Sequence, residues 1–200
     1  SVCRLTGVEH HLGELSIDNR IVKVDAFPMG IDYEKYAKTA TCPEVQKHVN
    51  SFRAQAKDCK IILSVDRLDY TKGIQQRLEA YNTFLQRYPE YKSKVMLIMV
   101  TVPSRTGVND YMMLKDHLES LVGKINGAHG RIGWMPVWYL YRSLPFEELT
   151  ALYALADVAL VTPLRDGMNL IAKEFIAAHT EGKGVLILSE MAGAASEMGE

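Results

Sequence analysis

"KIILSVDRLDYTKG", residues 60–73, holds the decision about the fold. After Lys60 the next five residues are apolar but for Ser64, and charges return only from Asp66 onwards. Continuous rather than alternating apolarity suits a strand covered on both faces, as in a parallel sheet. "VMLIMV" (95–100), "DVALVT" (157–162) and "GVLIL" (184–188) have the same character. "WMPVWYLY" (134–141) is a weaker fifth candidate, whose Pro136 points to a strand start or an edge position.

Between these runs the period changes. Ile74, Leu78, Tyr81, Leu85 and Tyr88 fall at helical spacing, and Pro89 follows them. Tyr111, Leu114, Leu118 and Leu121 predict a second helix, with Asn126-Gly127 and Gly130 marking the turns after it. Leu149, Leu152, Tyr153 and Ala156 predict a third, and Leu170 to His179 a fourth, apolar nearly all round and therefore buried. Strand and helix in alternation predict right-handed βαβ crossovers, an α/β fold with a Rossmann-like parallel sheet flanked by helices. In such sheets ligands bind beyond the carboxyl ends of the strands, so functional residues are expected just after 65, 100, 141, 162 and 188. The first sixty residues differ. "RIVKVDAFPMGID" (20–32) reads as an extended run closing in a Pro-Met-Gly turn, and 33–57 as helix-compatible. Residues 1–30 are read as a remnant or edge segment from an inter-domain region, and 31–200 as the α/β domain.

The composition is 48% apolar and 24% charged, with a net charge of −1. That is a globular balance with material for a core, and it lacks the basic surplus expected of a nucleic-acid partner. Cys3, Cys42 and Cys59 are odd in number and scattered, as free thiols in a reducing compartment would be. His10 and His11 are neighbours, and on a strand they would face opposite ways, which disfavours one shared metal. The longest apolar runs are strand-sized, so no membrane partner is expected and the protein is read as cytoplasmic.

The strand ends carry the chemistry. Arg67, Lys72 and Gly73 precede a helix that starts near Ile74, and two cations beside a helix N-terminus favour an anion such as phosphate. The alternative is a surface turn in which Asp66 and Asp69 neutralise both. Arg105, in "TVPSRTGVND", is either free to reach a ligand or an ordinary exposed arginine. In "VTPLRDGMNLIAKEF" (161–175), Gly167 permits close approach or positive φ, and the amides of Met168, Asn169 and Leu170 are first-turn donors. Asn169 could instead be a plain N-cap. Asp166 would repel phosphate but accept hydroxyls of a sugar attached to it. Glu174, one turn into the helix, could reach a ribose diol or pair with Lys173 or Lys183. "SEMAGAASE" (189–197) is a small-residue loop that permits close backbone approach to a ligand. Arg165 has no role here beyond a structural salt bridge. No GxGxxG follows a strand and no GxxxxGK[ST] occurs, which counts against NAD(P) and P-loop chemistry. Together the groups suit a nucleoside diphosphate sugar.

"DRLDYTKG", "PSR", "INGAHGRIGWMPVWYL", "LVTPLRDGMNLIAKEF" and "LSEMAGAA" closely resemble the trehalose-6-phosphate synthase family of retaining GT-B glycosyltransferases, from about "FPMGID" to the C-terminus. The resemblance implies one half of a GT-B fold, truncated at both ends, with an opposing N-terminal domain and a C-terminal closing segment missing. It implies transfer of glucose from UDP-glucose to glucose 6-phosphate, giving trehalose 6-phosphate and UDP, with no cofactor and no metal. Arg67 and Lys72 then bind the donor diphosphate and stabilise the leaving group. Arg105 contacts the acceptor phosphate, Asp166 and Gly167 serve the donor sugar, Met168, Asn169 and Leu170 donate amides to the diphosphate, and Glu174 holds the ribose. The alternatives are a same-family transferase with another phosphorylated acceptor, such as glycerol 3-phosphate, or a non-catalytic sugar-nucleotide sensor. The chain alone is expected to be inactive and prone to self-association through bared apolar surface.

Overall fold

The computed structural model describes residues 10–11, 14–17, 20–25, 27–104 and 109–198. Strands β1 (His10–His11), β2 (Glu14–Ile17) and β3 (Arg20–Lys23) make a small antiparallel sheet in that order. The extended reading of 20–32 therefore holds as strand only for its first part. Helix α1 (Tyr33–Thr41) starts where the Asp32 carboxylate accepts the Lys35 amide at 3.0 Å. Helix α2 (Pro43–Ala56) follows with Pro43 in its first turn, where a missing N–H costs nothing.

Next come β4 (Lys60–Arg67), α3 (Ile74–Arg87), β5 (Val95–Val102), α4 (Asn109–His129), β6 (Val137–Leu140), α5 (Phe146–Leu155), β7 (Val158–Val161), α6 (Leu170–Ala178), β8 (Val185–Leu188) and the short α7 (Ala195–Met198). The five later strands form one parallel sheet in the order β6-β5-β4-β7-β8. All four continuous apolar runs are strands of it. The weaker candidate is too, as an edge strand beginning just after Pro136.

The sheet is covered on both sides, and this is why its strands are apolar throughout. Met96, Ile98 and Val100 of β5 join Ile61, Leu63 and Val65 of β4 in a layer with Leu152, Tyr153 and Phe175 from α5 and α6. Val95, Leu97 and Met99 face the other way, onto Leu78, Tyr81 and Leu85 of α3 and Leu118, Val122 and Ile125 of α4. Each fully buried Leu or Ile here is worth about 1.5–3 kcal/mol relative to exposure.

The Asn126-Gly127 turn expected from the sequence does not form. Helix α4 runs through it to His129. The Asn126 side chain is occupied instead, its Nδ2 donating to the Val137 carbonyl (3.0 Å) and its Oδ1 accepting the Val137 amide (2.9 Å). It thus supplies the outer edge of β6 with a substitute strand partner. The helix closes one turn later, where the Gly130 amide reaches the Asn126 carbonyl at 2.8 Å. Tertiary hydrogen bonding here outweighs a local turn preference.

Candidate functional site

Strand order reverses between β4 and β7, so a crevice opens beyond their carboxyl ends. An open cleft of about 650 Å³ lies there, with Arg67, Lys72, Asp166, Gly167, Met168, Asn169, Leu170 and Glu174 on its walls. These are the candidate site residues read from the sequence, apart from Arg105, which falls outside the described residues, as does Cys3. The sequence reading did not include the cleft residues Phe27, Met29 and Tyr36, which arrive from the first forty residues.

Neither cation is ion-paired with Asp66 or Asp69, although the charges of both help hold the Asp69 carboxyl below its usual range. Asp69 is occupied by the turn itself, accepting from the Thr71 amide and hydroxyl at 2.9 and 2.7 Å. Asp66 is buried and pairs with Arg77 at 2.7 Å. Arg67 is exposed and makes no side-chain hydrogen bond or ion pair among the described residues. Lys72 instead crosses to Asp166, its ammonium 2.5 Å from Oδ2, with both side chains largely buried.

Asp166 is held on three sides, since Asn169 Nδ2 (3.1 Å) and the Met168 amide (3.3 Å) also donate to it. Burial alone would lift its pKa. The Lys72 ammonium and these donors outweigh burial and hold the carboxyl below the usual aspartate range. Asp66 behaves oppositely, because burial pushes it up and the Arg77 charge offsets that only in part.

Helix α6 begins at the cleft. Asn169 is its N-cap, at φ 73°, and its Oδ1 accepts the Ala172 amide at 3.3 Å. Of the amides expected as phosphate donors, that of Met168 is already given to Asp166, whereas those of Leu170 and of Ile171, which the sequence reading did not include, meet no acceptor among the described residues and line the cleft at the positive end of the helix. Gly167 does not use positive φ; the space where its side chain would be is empty within 4 Å. Glu174 does not pair with Lys173 or Lys183. Lys173 is 2.6 Å from Glu197, and Lys183 pairs with Glu181. Glu174 Oε2 accepts the Tyr153 hydroxyl at 2.7 Å instead. Burial of Tyr153, with the neighbouring carboxylate, pushes that hydroxyl's pKa well up, so it stays a donor and orients Glu174.

The small-residue loop approaches protein backbone. Gly193 donates to the Asp166 carbonyl at 3.0 Å, Asp166 donates to Met191 at 3.1 Å, and Ala194 donates to Met168 at 2.7 Å. A Cβ on Gly193 would stand 2.0 Å from the Gly167 carbonyl oxygen. Only glycine lets these two loops run so close, and their zipper supports the cleft floor from below. Arg165, expected in a salt bridge, has none among the described residues; its backbone amide reaches the Thr71 carbonyl at 3.2 Å. The described cysteines, Cys42 and Cys59, are free. Among the described residues no group of three His, Cys, Asp or Glu could hold a metal ion, and no helix is long and apolar enough to cross a membrane.

The chain resembles known proteins over its full length. The family model described as Glycosyltransferase family 20 matches residues 1–200. The bifunctional trehalose-6-phosphate synthase/phosphatase of Thermoproteus tenax is 45% identical over 200 residues, covering 100% of this chain and 27% of that protein. The UDP-forming alpha,alpha-trehalose-phosphate synthase 56 kDa subunit of Saccharomyces cerevisiae is 45% identical, over 99% of this chain and 40% of its own length. The chain therefore spans well under half of these relatives. A solved structure described as trehalose-6-phosphate from E. coli bound with UDP-2-fluoro glucose superposes with a TM-score of 0.90 at 37% identity, over 99% of this chain and 44% of that one. A Burkholderia xenovorans UDP-forming synthase in complex with glucose-6-phosphate gives 0.88 at 37% identity, over 92% and 41%. A parallel sheet of matching topology and a family match end to end lead to one conclusion: this chain belongs to glycosyltransferase family 20.

Proposed function

We propose that this chain supplies the sugar-nucleotide side of a retaining glycosyltransferase that moves glucose from UDP-glucose to glucose 6-phosphate, giving trehalose 6-phosphate and UDP. One observation carries the reading. A single cleft gathers unpaired Arg67, Lys72, the free amides of α6, Asp166 and Glu174, in a chain whose relatives are named as UDP-forming synthases.

The roles follow from charge. In the transfer the acceptor hydroxyl oxygen bonds to the glucose C1, and the bond from C1 to the diphosphate oxygen breaks. Negative charge then grows on the departing β-phosphate. In this reading Arg67, Lys72 and the amides of Leu170 and Ile171, which share one cleft, face that charge and stabilise it more in the transition state than before it. The acceptor proton passes to the leaving phosphate, so Asp166 has no need to attack; it accepts hydroxyls of the donor glucose. Glu174, oriented by Tyr153, accepts the ribose diol. Positive charge comes from side chains and amides, and in our reading no metal or cofactor takes part.

Titration of the chain with UDP tests this. Arg67→Ala and Lys72→Ala should each weaken UDP binding by about tenfold or more, the loss of one charge-assisted contact to phosphate. Unchanged affinity in both variants rejects the diphosphate assignment.

A further inference from the structure

Arg77 is the most deeply buried charge among the described residues, with no exposed side-chain surface at all. It sits on α3 among Ile74, Leu78 and Tyr81, on a face otherwise given to the core. Its guanidinium reaches three separate segments. Nη1 donates to Asp66 Oδ2 at 2.7 Å and to the Ser64 hydroxyl, both on β4. Nε donates to the Thr162 hydroxyl at 3.1 Å, just past β7. Nη2 donates to the backbone carbonyl of Lys72 at 2.9 Å.

Stability alone does not account for this. A buried ion pair contributes little net, and an apolar residue of similar volume is often as good or better. The targets of the four bonds are more telling. Ser64 and Asp66 precede Arg67, the Lys72 carbonyl roots the Lys72 side chain, and Thr162 opens the loop that carries Asp166. Arg77 thus joins, from behind, the three pieces of chain that present the cleft's charges. Neighbouring contacts reinforce it, with the Leu164 amide 2.8 Å from the Thr71 carbonyl. Asp66 in turn cancels the buried cation, so the pair adds no net charge against Lys72 or Asp166.

We propose that Arg77 is a positioning residue for donor binding, anchoring the backbone from which the Lys72 ammonium swings to the β-phosphate. This rests on the donor reading above. A planar fork is required, because a lysine at 77 could keep the charge beside Asp66 but could not also hold Thr162 and the Lys72 carbonyl.

The test compares UDP with UMP, which lacks the β-phosphate, by calorimetry on the chain, with melting temperature measured beside it. The wild type should prefer UDP by about tenfold or more. Arg77→Lys should fold and lose most of that preference while holding its affinity for UMP. The double variant Asp66→Asn/Arg77→Met, which removes both charges together, should behave likewise. A merely structural role would weaken both ligands equally, whatever the change in melting temperature. If either folded variant keeps the wild-type preference within about twofold, Arg77 does not position Lys72. If the wild type binds UDP and UMP alike, the donor reading falls and this role for Arg77 falls with it. Lys72→Ala separates the two, since it must lower the preference for the donor reading to stand whatever Arg77 does.

Discussion

Lys72 and Asp166 occupy each other in the ligand-free site, and that pairing sets up an exchange. When a diphosphate arrives, Lys72 has to turn from the carboxylate to the phosphate, which leaves Asp166 open to sugar hydroxyls. Asp166→Asn removes the internal competitor and a negative charge facing the phosphate. Calorimetry should find UDP bound more tightly, by roughly 1 kcal/mol or about fivefold, while UDP-glucose loses any advantage over UDP. Weaker UDP binding in this variant would contradict the exchange. The same pair has a pH signature. The folded pKa of Asp166 lies below the ordinary 3.8, so the native state holds the proton less tightly than the unfolded chain. The stability it contributes is complete above that ordinary value and drains away as pH falls through the depressed one. Asp66 has the opposite sign, its raised pKa costing stability as pH climbs from 3.8 through the folded value. Asp166 could be read from sequence because it interrupts a strand-to-helix junction. Arg77 was not read from sequence at all. Its partners at 64, 66, 72 and 162 come together only once strands β4 and β7 are neighbours.

At the level of elements, strands and helices were legible because their periods are strong and local. β5 reads as buried on both faces, and it is. What failed was local punctuation. Asn126-Gly127 carries a turn signal, but β6 needs a partner on its open edge and the asparagine amide provides one. The last loop was read as permitting close approach to a ligand; the neighbour its Gly193 meets is the loop at 166–168. Gly193→Ala tests that contact. Its Cβ would meet the carbonyl oxygen of Gly167 at 2.0 Å and the carbonyl carbon at 2.8 Å, and neither can swing aside as a flexible side chain could. Urea denaturation should show a loss of about 2–3 kcal/mol. UDP affinity should fall too, because the displaced backbone carries Asp166 and Met168. A variant with wild-type stability would mean the loops separate freely.

The whole molecule offers one wall of a cleft. Phe27 and Met29 on its rim are 78% and 64% exposed, and Met191 nearby is 60% exposed. The curated relatives extend well beyond the matched stretch, to which this chain contributes 27% and 40% of their lengths. We therefore expect the chain alone to bind UDP yet release no trehalose 6-phosphate from UDP-glucose and glucose 6-phosphate in a coupled assay. Detectable turnover would show that the acceptor needs nothing further. Apolar rim residues left uncovered should also drive concentration-dependent association, and sedimentation showing a monomer throughout would refute that. The parallel sheet was open to sequence reasoning, whereas its strand order and the small β1–β3 sheet were not. Its strands are two to four residues long, and their pairing is set by neighbours rather than by any internal period.

The stitching between the cation loop and the aspartate loop has a dynamic consequence. Thr71 accepts the amides of both Leu164 and Arg165, and Gly73 packs against the Thr162 carbonyl, where an added Cβ would stand 2.6 Å away. Neither segment can then breathe without the other. Their amide protons should trade with deuterated solvent as one cooperative unit, at a common rate and with a common response to denaturant. Inorganic pyrophosphate, which has no sugar to offer Asp166, should slow exchange at Leu164 and Arg165 as well as around Lys72. Protection confined to residues 70–73 would mean the two lips of the cleft open independently.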